Sequence, residues 1–127
     1  MSKKLTKFEL NEWKKYRRPS TSFHKCKVNE FIIFANNTYA HELGKFKIAF
    51  DLMKEGHKIL TECEEISSGE RCDLVDITDG ERYEVESTIV RAQRFIGRPT
   101  NIVAVGWDLE SDKWKRLLEK QQTTKVG

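Results

Sequence analysis

The chain has 127 residues and a net charge of +3, from 23 Lys and Arg against 20 Asp and Glu, a length that suits one hydrophobic core and is short for two. A charged share of 34% beside a hydrophobic share of 38% fits a compact soluble domain; no run approaches the roughly 18 apolar residues of a membrane span, and nothing after Met-Ser-Lys-Lys has signal-peptide character, so no membrane partner and a cytoplasmic location are expected. Three cysteines, Cys26, Cys63 and Cys72, lack CxxC spacing, which argues against a disulfide framework or zinc finger and leaves buried thiols as the expectation, with a Cys63 to Cys72 pairing across neighbouring strands as the alternative.

The charge is uneven. Residues 1–30 hold nine Lys or Arg against three acids, net +6, and residues 31–127 hold fourteen against seventeen, net −3. A basic arm on a mildly acidic body suits a phosphate-seeking segment on a cation-binding core, or a solvated charged helix without a partner. The chain is therefore divided into a basic N-terminal extension, 1–36, and a main domain, 37–127.

In chain order, residues 5–18 set Phe8, Trp13 and Tyr16 among lysines, as in a short amphipathic helix that Pro19 helps to stop. The patch Phe31, Ile32, Ile33 and Phe34 reads as a buried strand or a helical turn. From Asn37 or Thr38, either of which can cap, a helix runs to Gly56 with Leu43, Phe46, Phe50 and Met53 as an apolar stripe. Residues 57–66 and 71–78 read as strands, Asp79-Gly80 as a hairpin turn, and 81–87 as a third strand. A helix over 88–97, a buried strand over 101–107 and a closing helix over 111–121, with Trp114, Leu117 and Leu118 inward, complete the order. The expected fold class is α/β, with a mixed central sheet in αβββαβα order plus the N-terminal basic extension.

If Asp79 and Gly80 are the two central residues of a tight turn, Asp73 pairs with Glu86 and Val75 with Glu84. Alternation then puts Asp73, Glu84 and Glu86 on one face. Like charges so placed destabilise a sheet unless a hard divalent cation joins them, and oxygen-only ligands select Mg²⁺ or Mn²⁺ rather than zinc. The competing reading is a solvated sheet face beside Arg71 and Arg82.

The segments His41-Glu42-Leu43-Gly44-Lys45, Arg71-Cys72-Asp73-Leu74-Val75-Asp76 and Tyr83-Glu84-Val85-Glu86, with the order of elements over residues 37–121, resemble the PD-(D/E)XK nuclease superfamily, which includes restriction endonucleases and archaeal Holliday junction resolvases. The resemblance implies a restriction endonuclease-like fold and metal-dependent hydrolysis of DNA phosphodiester bonds. It also implies catalytic roles for Glu42, Asp73, Glu84 and Glu86, the last three as metal ligands. Glu86 stands where lysine is usual; Lys45, three residues from Glu42, can supply an ammonium or meet nucleic acid.

Arg91, Arg94 and Arg98 form a basic stripe at helical spacing that can follow a DNA backbone, as can Lys14, Lys15, Arg17 and Arg18 in the arm. His24, His41 and His57 are read as structural. No organic cofactor is expected. A homodimer is an open expectation, with the Phe31 to Phe34 patch as interface or core strand. Two further readings are a nuclease-like fold that binds nucleic acid without cutting it and a regulatory protein-interaction domain.

Overall fold

The structure is a computed structural model, and it describes residues 4–19, 25–86, 89–97, 101–108 and 110–118. The elements in order are α1 (Lys7–Trp13), β1 (Tyr16–Arg17), α2 (Tyr39–Lys54), β2 (Ile59–Glu65), β3 (Arg71–Asp76), β4 (Glu81–Val85) and α3 (Ile89–Ala92), which a 3-10 turn, Gln93–Phe95, continues, then β5 (Ile102–Asp108) and β6 (Lys113–Leu118). The strands form one six-stranded sheet in sequence order. β4 and β5 are parallel, joined across α3; every other neighbouring pair is antiparallel. The α/β class and mixed sheet agree with the sequence. No helix among the described residues is long and apolar enough to cross a membrane.

Four segments differ from expectation. Residues 16–17 of the predicted first helix are the strand β1, and residues 31–34 are neither strand nor helix, with Ile33 70% exposed. The closing helix is the strand β6, at least as far as Leu118; residues 119–121 lie outside the described residues. Trp114 packs on the core cluster with Ile48, Leu74 and Tyr83, while Leu117 packs on the one with Ala92, Phe95 and Ile102. A sheet covered on both faces takes apolar residues three apart on opposite sides, so this spacing imitates a helix face. The helix over 88–97 shrinks to α3 and the 3-10 turn.

Thr38 caps α2, its side chain accepting from His41 N. The helix buries Ile48, Ala49 and Leu52 against Ile59, Leu74, Tyr83, Val85, Val103 and Val105. The stripe of Phe46, Phe50 and Met53 faces outward instead. Gly44 is required by packing, since a Cβ there would lie 2.7 Å from Trp107 Cβ.

The segment before Asn37 is tied into the sheet. Thr6 and Glu9 form a reciprocal capping box. Buried Glu9 also accepts from Lys58 Nζ at 3.1 Å and Thr78 Oγ1 at 2.8 Å. Trp13 Nε1 donates to Cys26 O at 2.7 Å, and Tyr16 pairs with Glu65 at the sheet edge. Tyr16 and Cys26 belong to a core cluster with Leu60, Cys63, Cys72, Val75 and Ile77. Cys63 and Cys72 are cross-strand neighbours, and all three cysteines are free and buried.

Candidate functional site

The β3–β4 connection is longer than a two-residue turn. The register pairs Asp76 with Glu81, Val75 with Arg82 and Leu74 with Tyr83, so residues 77–80 form the loop. Asp76 closes it, Oδ1 accepting from Thr78 N at 3.0 Å and Asp79 N at 3.2 Å. Gly80, at φ +81°, makes the return. Relative to the expected pairing the register slips by two residues. The described pairing ends at Leu74 and Tyr83: Tyr83 and Val85 pack under α2, which turns Glu84 to the other face, whereas the Asp73 carboxylate reaches Val85 N and His41 on the α2 side, so the expected shared face is not formed.

The ladder opens just there. Asp73 Oδ2 accepts from Val85 N at 3.0 Å, taking a main-chain donor at the end of β4. Glu84 is 6% exposed and Glu86 7%. Burial first, then the negative charge of Asp73, then Cys72 and Glu86, push the Glu84 carboxyl well above the usual carboxylate range, with Arg82 pulling the other way. Glu86 Oε2 accepts from Arg94 Nη2 at 2.6 Å.

α2 arrives over this end of the sheet. His41, which the sequence reading left as structural, bridges two expected site residues: Nδ1 lies 3.0 Å from Glu42 Oε2 and Nε2 3.3 Å from Asp73 Oδ2. The bond to Asp73 is the main reason its pKa rises to about 9, against the effect of burial, so the ring carries its proton at neutral pH. Burial works to raise Glu42, but Lys45, Phe34 N, Asn37 and His41 together hold it down to about 2. These four donors use the acceptor capacity of the Glu42 carboxylate. Glu42 therefore organises the loop and His41, and reaches Asp73 only through the imidazole.

Lys45 is fully buried, its ammonium meeting Ile32 O at 2.8 Å, Glu62 Oε2 at 2.8 Å and Glu42 Oε1 at 2.7 Å. Three acceptors for three protons leave nothing for a nucleic acid, and burial closes that expected contact. Glu62, which sequence reasoning missed, has φ +48° and is 7% exposed. The signal for it was an acid inside an otherwise apolar strand, Leu60 to Cys63.

Beside these groups lies a cleft of about 420 Å³ whose walls include Asn36, Thr38, His41, Glu86, Arg91 and Trp107. It sits at the carboxyl ends of the parallel strands β4 and β5, where α/β sheets leave room for ligands, and at the positive end of the 16-residue α2. Arg91 is exposed on its rim. Trp107 Nε1 is buried without a hydrogen-bond partner. Arg94, the second residue of the expected basic stripe, is committed to Glu86, and Arg98 lies outside the described residues. In the arm, Lys14 is exposed, while Lys15 pairs with Glu12, Arg17 with Glu64 and Arg18 with Glu30.

Among the described residues, the set of three His, Cys, Asp or Glu side chains whose ligand atoms lie within 4.8 Å of one another is His57, Asp76 and Asp79, at the other end of β3. Asp73, Glu84 and Glu86 do not form such a set. His57 Nδ1 lies 2.6 Å from Asp76 Oδ2, and with two main-chain donors on Oδ1 that carboxylate is fully matched. Compared with known proteins, the chain matches no family model, no curated protein and no solved structure.

Proposed function

We propose that the chain is a Mg²⁺- or Mn²⁺-dependent nuclease that hydrolyses phosphodiester bonds in DNA at the cleft beside Asp73, Glu84 and Glu86. The observation that carries this reading is the carboxyl of Glu84, buried and pushed up by the nearby charges of Asp73 and Glu86, with Glu86 itself on the wall of the cleft. Crowding acids in low dielectric is costly, and a hard divalent cation removes the cost. The donor chemistry suits such an ion, carboxylate oxygens being ligands for Mg²⁺ or Mn²⁺, and binding would have to draw the three carboxylates closer together than they stand here.

When bound, the cation would polarise the scissile phosphate and lower the pKa of a bound water. The chain's own groups divide the remaining work. Asp73 and Glu84 would hold the ion, with His41 and Val85 N fixing the Asp73 carboxylate. His41 is a positioning residue, since both its nitrogens are already engaged. Arg91 and the first amides of α2 receive the phosphate backbone on the rim. Glu86 would be a further ligand in exchange for its Arg94 partner, which would leave Arg94 to pair with a phosphate.

The Arg94 to Glu86 bond also favours a second reading, in which the fold binds nucleic acid without cutting it. A cleavage panel separates them: duplex, single-stranded, flap and four-way-junction DNA with Mg²⁺ or Mn²⁺, run beside Asp73→Ala, with Mn²⁺ binding followed by calorimetry. Metal-dependent cleavage that Asp73→Ala abolishes supports the nuclease. DNA binding with neither Mn²⁺ affinity nor cleavage favours the second reading.

A further inference from the structure

The helix-face signal that is clearest in the sequence of α2 is only partly covered within the described fold. Tyr39, Leu43, Phe46, Phe50 and Met53 follow one another at spacings of four, three, four and three, the repeat of a coiled-coil seam. The helix buries the other side, through Ile48, Ala49 and Leu52. On the seam Tyr39 is 78% exposed, Phe46 48%, Phe50 46% and Met53 40%, and Ile33 on the adjoining loop is 70% exposed.

The seam has two unlike halves. Toward the start of α2 it is a groove of about 550 Å³, walled by Ile33 and Phe34 from the loop and by Tyr39, Leu43 and Phe46 from the helix. Phe31 supports it, edge-on to Phe46 with ring centroids 5.4 Å apart. Toward the end of α2 it is a ridge of Phe50, stacked on Phe46 at 6.0 Å, and Met53. Tyr39 and Met53 lie seven residues either side of Phe46, or about 10 Å along the axis at the helical rise. A surface with a groove on one side of a central residue and a ridge at equal distance on the other is complementary to itself under two-fold rotation.

We propose that this face binds a second copy of the chain about a two-fold axis at Phe46. The α2 helices run antiparallel, and Phe50 and Met53 of each copy enter the groove of the other. The area supports it. With roughly 150–250 Å² for an aromatic side chain, the exposed fractions amount to on the order of 500 Å² of apolar surface. That is at the upper end of the patches typical monomers carry, and two such patches facing each other amount to roughly 1,000 Å², the lower bound for a specific interface. Flanking cations do not oppose the contact: Lys47 is met by Asp51 at 3.9 Å and Asp112 at 3.8 Å, and the Lys54 ammonium lies over the Phe50 ring at 5.6 Å. Asn37 and Thr38 line both this groove and the polar cleft, so a partner seated here would brace the cleft's rim.

Sedimentation of the full chain without metal or DNA tests this independently of any catalytic reading. The expected result is a dimer at about 50 µM, within the micromolar or tighter range that interfaces of ordinary size reach. Phe46→Glu should weaken it by about 100-fold or more, as loss of a central anchor does, with an unchanged circular dichroism spectrum. Phe46→Cys, a mild change at an exposed site, should form a disulfide-linked dimer faster than Lys113→Cys, a control on the exposed edge strand. A monomer at that concentration would overturn the proposal. So would a dimer that Phe46→Glu leaves intact, or equal cross-linking of the two cysteine variants.

Discussion

Asp73 and Asp76 lie three residues apart on β3 and meet opposite fates. Asp76 is fully buried and matched, with His57 on one oxygen and two loop amides on the other. Asp73 also has two partners, Val85 N and His41, but it shares its end of the sheet with Glu84 and Glu86, and burial and repulsion push Glu84 up. A matched buried carboxylate builds a turn. An excess of carboxylates, one of them pushed up by its neighbours, is the feature on which the proposed cation site rests.

The comparison is broken most sharply by exchanging the two roles. Glu84→Gln should abolish metal-dependent cleavage while leaving the thermal midpoint of the metal-free protein unchanged or higher, because a neutral amide replaces a crowded acid. Asp76→Ala should do the reverse, costing about 2–4 kcal/mol by stranding the loop amides and His57, with cleavage per folded molecule retained. Denaturant melts beside cleavage rates check both. Equal loss of stability in the two variants would make the Glu84 end structural as well.

Lys45 tests the same distinction inside α2. Lys45→Met removes the buried ammonium that Glu42 and Glu62 share and leaves them His41 and Arg71 as cations, a loss of about 3 kcal/mol, the low end for a broken buried pair. Adding Glu62→Gln should restore part of it, which urea melts of both variants would show.

How far the sequence reveals this architecture depends on whether local pattern or tertiary context decides each element. α2 and β2 to β5 were legible, because caps, turns and alternation are local. The register was not, since Asp76 lengthens the loop by capturing Thr78 N and Asp79 N, a side-chain bond invisible in a turn dipeptide. β6 was misread because a two-sided strand spaces Trp114 and Leu117 as a helix would. Lys45 was read as an ammonium for the site or for nucleic acid and Glu62 was missed, because only folding buries the two together. His41 gave no signal of its own: its charge comes from Asp73, 32 residues away.

A smaller effect concerns pH at the matched end. The bond to Asp76 comes first among the causes that raise the His57 pKa. The folded ring therefore binds its proton above pH 6.5, where the unfolded ring has lost it. The stabilisation is fully present below 6.5 and is lost as pH rises through the folded value. Burial also pushes Asp76 up, which has the same sign. The gap in thermal midpoint between the native chain and His57→Gln should be widest near the acid end of that window and close toward alkaline pH. A gap that widens with pH would contradict the assignment.

The smallest expected effect concerns the arm, whose net charge of +6 over residues 1–30 suggested a phosphate surface. Three of its cations are already answered: Lys15 by Glu12, Arg17 by Glu64 and Arg18 by Glu30. An ion-paired side chain condenses little counterion chemistry with DNA, because its charge is spent within the protein. Arg17→Gln and Arg18→Gln should therefore leave the slope of log K against log salt nearly unchanged on duplex DNA. Arg91→Ala, on the cleft rim, should flatten it by roughly 0.9, the value of one phosphate contact, and weaken binding alike across sequences. Titrations of the Asp73→Ala protein at several salt concentrations, where no cleavage interferes, measure all three slopes. A flattening of roughly two units from Arg17→Gln and Arg18→Gln combined, with none from Arg91→Ala, would move the main phosphate contacts from the cleft to the arm.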